Sequence, residues 1–421
     1  MKTFKYLPLS LAVAATLSSV SVFAETESLE ELSKRLQELE TKVQEADYIY
    51  DQQPAVLTPD FEPPAGIIFS GYARYGAHYS DSDNQYVDVG STGRAVGRLG
   101  NEVNGGEIQF ARAAKADNGA VWDVVVMLDN WNHANWGSES GINLKKMYAG
   151  VTNVFESQPE LYMWAGRDFH QRPQQGLNDY FWMMHDGQGG GFNNLNLGGV
   201  KLDMGFVGQV DSAAGNSLGN DSGKYALTSK LHAIDLGIGN LDLYANYGFA
   251  NEDVSEEKAW QVGAVLGLGA SNKLVAKYGD GADTTVFDLA ADKKITYVSL
   301  EGGIKPTDNL FIDYLASFYN AKGEDTTDRN EYSAIVRPMY NWDDTHSTWL
   351  EAGYAMEDYS DGGDKQGWKV TLSQNISLGG LPWSRPMLRA YVTAGDVKTT
   401  GPVDSTSVDT LAGGLMFEAW W

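Results

Sequence analysis

Residues 67–79 read IIFSGYARYGAHY, and their alternation decides the fold. One face of an extended chain carries Ile67, Phe69, Gly71, Ala73, Tyr75, Ala77 and Tyr79; the other carries Ser70, Tyr72, Arg74 and His78. Successive side chains of a strand point to opposite faces, so a period of two means one apolar and one polar face. The pattern returns at 241–250, where Leu241, Leu243, Ala245, Tyr247 and Phe249 alternate with Asp242, Tyr244, Asn246 and Gly248. Leu388, Ala390, Val392 and Ala394 likewise enclose Arg389, Tyr391 and Thr393. At the end of the chain Leu411, Leu415, Phe417, Ala419 and Trp421 oppose Thr410, Met416, Glu418 and Trp420. A soluble sandwich also alternates, but its outer face is usually rich in Lys and Glu. Here the apolar faces end in aromatics such as Tyr75, Tyr79 and Trp421, which fits the girdles of a barrel crossing a bilayer.

Composition narrows the choice in the same direction. The chain has 421 residues, a formal charge of -25, 47 glycines and no cysteine. A polyanion would be repelled by that charge, which excludes nucleic acid as a partner. Mean hydropathy is -0.33, and after the first 24 residues no apolar run approaches the roughly 20 needed for a spanning helix. Only a closed barrel then satisfies the backbone inside lipid. The lack of cysteine suits export through an oxidising space. Breaks rich in Gly, Asp and Asn, at 81–93, 279–283 and 358–364, read as turns and long surface loops. At about ten residues a strand, residues 67–421 hold sixteen or eighteen strands. The expected class is all-β: a transmembrane antiparallel β-barrel of 16–18 strands with a short N-terminal coiled-coil helix.

Three segments precede the barrel. Residues 1–24 carry Lys2 and Lys5, an apolar core and the ending Val22-Phe23-Ala24 before Glu25, the form of a secretory signal peptide. In 25–50, Leu29, Leu36 and Val43 fall at heptad position a, and Leu32, Leu39 and Ala46 at d. Arg35 and Lys42 at g then face Glu40 and Asp47 at e of a parallel copy, so a coiled coil between copies is favoured over a helix on the barrel rim. Residues 51–66 hold Pro54, Pro59, Pro63 and Pro64, a semi-extended linker.

A second stretch carries the chemistry. Residues 164–182, WAGRDFHQRPQQGLNDYFW, set aromatics beside Arg167, Arg172, Asp168 and Asp179, with Pro173 and Gly176 breaking any regular element. Rings beside charged and amide groups suit a sugar, whose C–H faces stack on aromatics and whose hydroxyls bond to Arg, Asp and Glu. The plain alternative is a strand–turn–strand in which Arg172 and Asp179 pair and rigidify the loop. The six histidines (78, 133, 170, 185, 232, 346) have no metal-ligand spacing, and no cofactor is called for.

The stretches GYAR at 71–74, RLGNE at 98–102, WAG at 164–166, RPMYNW at 337–342, EAGY at 351–354, WSRP at 383–386 and the ending FEAWW at 417–421 occur in that order. Through them the chain resembles the maltoporin family of sugar-selective trimeric porins. The helix and proline linker are similar to those of the sucrose-porin and aryl-β-glucoside-porin branches. The resemblance implies eighteen strands, a homotrimer in the outer membrane with the helix in the periplasm, and a helical run of aromatics along the lumen. It places Tyr72, Trp383 and Trp420 on that run, with Phe181 at the constriction where the family has a tyrosine. A loop tryptophan lent to a neighbouring subunit is Trp131 or Trp136. The polar partners it implies are Arg74, Arg98, Glu107, Arg172 and Asp179. Another tyrosine of the run falls on Gly105 or Gly106, a phenylalanine on Ser271, and an arginine near Leu144 is unmatched. The run is therefore thinner than in maltoporin.

The resulting expectation is a passive channel for oligosaccharides, not an enzyme. The competing readings are a general diffusion porin, an outer-membrane hydrolase or protease using His185-Asp186, and a tether that holds the barrel to the cell wall through the helix.

Overall fold

The computed structural model describes residues 50–51, 65–82, 85–132, 141–210, 221–269, 271–323, 328–401 and 404–421. Eighteen antiparallel strands close into one barrel. They are β1 (Ile68–Ser80), β2 (Asn104–Lys115), β3 (Val121–Asn132), β4 (Asn143–Thr152), β5 (Tyr162–Asp168), β6 (Gly187–Asn196), β7 (Lys201–Val210), β8 (Asp221–Asp235) and β9 (Gly239–Ala250). The second half is β10 (Ala259–Leu268), β11 (Asn272–Asp280), β12 (Lys294–Thr307), β13 (Leu310–Lys322), β14 (Arg329–Asn341), β15 (His346–Tyr359), β16 (Asp364–Ser377), β17 (Met387–Thr400) and β18 (Ser405–Trp420). The upper strand count is thus the one found. The seam joins β1 to β18, with Tyr72 opposite Trp420 and Arg74 opposite Glu418.

Burial runs opposite to that of a soluble protein. On β16, Thr371 and Ser373 are 0% and 1% exposed, whereas Leu372 between them is 55% exposed. The exposed apolar residues of the strands point away from the barrel, toward lipid, and the polar ones point into it, where they share the inner face with apolar residues such as Val125, Ile295 and Leu315. Inside, Ser70, Arg74, Arg389 and Glu418 are buried; outside, Phe69, Leu388, Val392 and Leu415 are exposed. Both faces are the ones the alternation of the sequence assigns.

Short turns, such as 236–238 and 308–309, join the strands at one end, and longer loops join them at the other. In bacterial outer-membrane barrels the short turns face the periplasm. Exposed aromatics ring the long-loop end of the outer wall over β7 to β16: Phe206, Tyr247, Trp260, Tyr332, Tyr354 and Trp368. From β17 through β18 and β1 to β5 the outward residues include Val392, Leu411, Ala77, Met147, Ala149 and Ala165, together with the aromatics Phe69, Tyr79, Phe110, Trp122 and Phe417.

One expectation needs correcting. The segment 81–93 is not simply a surface loop, because much of loop 81–103 turns into the barrel. Val87, Val89, Ala95 and Val96 pack against Ala355 and Val397 on the inner wall. The glycines and aspartates marked a break in the strand, while the apolar residues beyond it supplied a reason to fold inward.

The signal peptide, the heptad helix and the proline linker fall outside the described residues, except at two places. Ala65 and Gly66 lead into β1, and Tyr50–Asp51 form a two-residue strand paired with Gln174 and Pro173.

Candidate functional site

Loops 81–103 and 169–186 meet inside the barrel and define its constriction. The latter holds a small hairpin of two strands, Pro173–Gln175 and Tyr180–Phe181. The Arg94 and Arg98 amides donate to the Asn178 and Leu177 carbonyls, at 2.5 and 2.9 Å, joining the loops backbone to backbone. Loop 81–103 is anchored on the wall by Glu351, whose Oε1 accepts from the Leu99 amide at 2.9 Å. Gly97 makes this approach possible: its φ is 101°, and a Cβ there would lie 2.2 Å from the Glu351 carboxylate. Glu351 in turn accepts from Arg337 and from Lys369.

Beside the constriction lies a track of three rings. Tyr72 on β1 is near-parallel to Trp131 on β3, with centroids 5.9 Å apart, and to Trp420 on β18, 6.5 Å apart. Of the two loop tryptophans considered from the sequence, Trp131 is a strand residue opposite Gly105; Trp136 lies outside the described residues. Trp131 rests on Gly105, where a Cβ would come within 2.3 Å of its ring. A ring from the adjacent strand thus covers Gly105, one of the two glycines on which a tyrosine of the family's run falls.

Charged groups surround this track in pairs. Arg74 donates to Asp179 at 2.8 Å and to the Val103 carbonyl at 2.9 Å, with its guanidinium 5.0 Å from the Trp131 ring centre. Asp179 also accepts from Gln174 at 2.5 Å. Burial alone would raise the Asp179 carboxyl, but Arg74 and Arg98 outweigh it and hold the group below its ordinary range. Glu107 accepts from the Trp131 indole at 3.3 Å. Glu418 is a hub. Its Oε1 accepts from the Tyr72 hydroxyl at 2.8 Å and from Arg98 at 3.4 Å, and its Oε2 accepts from Arg385 at 2.5 Å and Arg389 at 3.4 Å. Arg389 continues to Glu102, at 2.7 Å. Paired charges of this kind offer donors and acceptors to hydroxyls without an isolated buried ion.

The remaining sequence candidates lie elsewhere. Arg172 does not pair with Asp179; it reaches Asp186 at 3.2 Å and is sandwiched between Phe169 and Phe181, 4.1 Å from each ring centre. Trp383 packs edge-on against Phe311, at 5.4 Å, in a cluster with Leu99 and Trp349. The place beside Trp420 is taken by the Arg385 guanidinium, 4.2 Å from its ring centre. Lys146, near the unmatched arginine position, is buried against Asp168 at 3.2 Å. His185 and Asp186 point to different partners: the His185 Nε2 accepts from the Val286 amide, while Asp186 meets Arg172. Burial, then His170, pushes the His185 imidazole down to about 3.

Sequence reading missed Glu102, Arg337, Glu351, Lys369, Arg385 and Arg389 as partners. The signal was nonetheless present. Arg98 and Glu102 lie in RLGNE, Arg337 in RPMYNW, Glu351 in EAGY, Arg385 in WSRP and Glu418 in FEAWW. Motifs far apart in the chain meet here, Arg98 and Glu418 across 320 positions and Tyr72 and Glu418 across 346.

A sequence model described as LamB porin matches residues 67–421. A maltoporin of Vibrio cholerae serotype O1 is 30% identical over 404 residues, covering 84% of this chain and 95% of its own. A maltoporin of Photobacterium profundum is 26% identical over 403 residues, covering 85% and 94%. Among solved structures, OccD3 (OpdP) of Pseudomonas aeruginosa shares the barrel fold with a TM-score of 0.51 at 11% identity, over 87% of this chain and 94% of its own.

Proposed function

We propose a function from one established premise: this chain belongs to the LamB porin family. As an outer-membrane porin its work is passage of solute, and we infer that the solute is an oligosaccharide that binds transiently on its way through. The observation carrying this reading is the stack of Trp131, Tyr72 and Trp420 beside Arg74, Asp179, Glu107 and Glu418 at the constriction. Each ring contributes a weak apolar contact with a sugar face, on the order of 1 kcal/mol. Weak successive contacts favour entry and still permit exit. A general diffusion porin has no use for such a ladder of rings.

The track is short, since Arg385 covers Trp420 and Trp383 packs against Phe311. That geometry favours short oligosaccharides over long malto-oligosaccharides. Phe181 and Arg172 act as stiffeners of the constriction loop; Arg98, Glu107 and Asp179 are the hydroxyl partners or hold them in place.

We also infer a homotrimer. The arc of β18, β1, β2 and β3 presents an apolar outer face with exposed Phe69, Phe110, Trp122 and Leu415, a surface suited to packing against other copies. Residues 1–24 serve as signal peptide, 25–50 as a periplasmic coiled coil among the copies, and 51–66 as the linker, as in the sucrose-porin-like branch. The test is conductance in planar bilayers. Stepwise threefold events, with current block that saturates as sucrose or maltose is added, support the reading. Conductance indifferent to every sugar while small ions and amino acids pass makes the chain a general diffusion porin.

A further inference from the structure

We propose that Arg112, on the outer wall, binds the phosphate of a phospholipid in the leaflet that faces the periplasm. The inference does not depend on which solute the channel passes. Along the second half of β2 the even-numbered residues face outward. Ile108, Phe110, Arg112 and Ala114 are exposed, while Gln109, Ala111 and Ala113 between them are buried. Arg112 stands opposite Val124 of β3, and Ile67, Phe110, Trp122 and Val124 give this part of the wall an exposed apolar surface. A cation on the lipid face is destabilising unless it reaches the interface.

Two observations point to what it meets there. Arg74, Arg98, Arg172, Arg337, Arg385 and Arg389 each hold a carboxylate. Arg112 has no ion pair, hydrogen bond or ring contact among the described residues. The outer wall also offers it no partner from a second copy. Among the described strands the outward carboxylates are Asp280, Asp358, Asp364, Asp396 and Asp409, all at the long-loop end. A copy in the same membrane orientation thus brings none of them to the depth of Arg112. Asp117 and Glu156 are exposed in the turns 116–120 and 153–161, beyond the strand ends, where water solvates them.

The depth suits a phosphate. Arg112 is three residues from the end of β2 at Lys115, about 10 Å along the strand at roughly 3.4 Å per residue. The strands tilt, so the distance to the interface is shorter still. A long side chain covers it by laying its stem on apolar neighbours and holding its head at the surface. Trp122, opposite Ala114 and so one step nearer the short turn, is a ring of the kind that settles at headgroup level. The forked guanidinium donors match two phosphate oxygens, and the acyl chains then lie along Phe110 and Val124.

The test is native mass spectrometry of the full-length protein from micelles titrated with phosphatidylglycerol, counting lipids retained per subunit. Arg112→Gln should weaken retention about fivefold, and Arg112→Lys, which keeps the charge, should lose less. Diacylglycerol, with the same chains and no phosphate, should be held equally by the parent and Arg112→Gln. Millimolar inorganic phosphate should not displace the lipid. Three results overturn the proposal. Phosphatidylglycerol is retained equally by the parent and Arg112→Gln; or inorganic phosphate displaces it, which makes the site one for a free anion; or Arg112→Gln separates the copies while lipid per subunit is unchanged, which makes the partner a carboxylate of a second copy. Sugar block in planar bilayers is the same in Arg112→Gln as in the parent, so failure here leaves the channel reading standing.

Discussion

Gly105→Ala is the sharpest probe of the ring track, because it adds one methyl group and deletes nothing that touches solute. The new Cβ would lie 2.3 Å from Cε3 and 2.6 Å from Cδ2 of Trp131. Carbon atoms settle at about 3.5–4.0 Å, so the indole has to move away by more than about 1 Å. Moving it pulls the ring off Tyr72, from which it is 5.9 Å, and lengthens an indole–Glu107 hydrogen bond that is already 3.3 Å. Losing one ring contact of about 1 kcal/mol weakens sugar half-saturation about fivefold. Trp131→Ala removes the same contact and has the same effect. The double variant then behaves like Trp131→Ala alone, because the methyl group has no ring left to displace.

The assay is current block by sucrose and maltose in planar bilayers across all four proteins, with thermal unfolding as a control. The control matters because the added Cβ also lies 2.8 Å from the Asn130 carbonyl, across the β2–β3 pair. Two results refute the reasoning. Either Gly105→Ala binds sugar as the parent does, or the two single effects add in the double variant.

Other expectations follow from the charge pairs and the inverted wall. Asp179 has its native pKa held below the ordinary 3.8, so its pairing contributes stability above that value and loses it as pH falls through the lower native one. Current fluctuations from a loosened constriction should therefore rise only below about pH 3.8 in the parent, and at neutral pH in Asp179→Asn; noise spectra against pH check this. Glu418→Gln leaves Arg98, Arg385 and Arg389 without their shared acceptor charge, a loss of roughly 3–5 kcal/mol for a buried pair, and it should move the reversal potential toward anions. Leu372→Arg puts a cation on the lipid face of β16 and should cost about 2–4 kcal/mol in denaturant unfolding from vesicles; an unchanged midpoint would contradict the outward orientation.

The fold was legible because a barrel obeys a rule that every strand repeats. The alternation at 67–79 put Tyr72 and Arg74 on the polar face, and both turn inward, while Phe69 and Tyr79 turn out. The strand number was less legible, since single strands of about ten residues give weak signals and turns vary in length. At the site, family-like motifs located the right segments but not the pairing among them. Arg172 and Asp179 are seven positions apart and of opposite charge, yet each has another partner, because Asp179 sits in the turn of the hairpin that Arg172 precedes, and the two meet Arg74 and Asp186. The inward course of 81–103 was hidden by its glycines and aspartates, which resemble those of any exposed loop. No local rule reveals that Trp131 fills the space over Gly105, because that fact belongs to the β2–β3 register.

The total charge of -25 says little about what a solute meets at the constriction. Around the track, Arg74, Arg98, Arg385 and Arg389 stand against Asp179, Glu102, Glu107 and Glu418, four of each sign. Most are tied to a partner of opposite sign within 3.5 Å, so the field along the track alternates over distances shorter than a sugar ring and largely cancels beyond it. A neutral solute loses nothing in such a field and finds donors and acceptors throughout. An ion has to break into pairs already formed. The acidic surplus lies outside this balanced set of eight, where water and salt screen whatever is exposed. In the proposed sugar channel, selectivity for sugar and weak selectivity for ions would thus have one cause: the charges around the ring track neutralise each other.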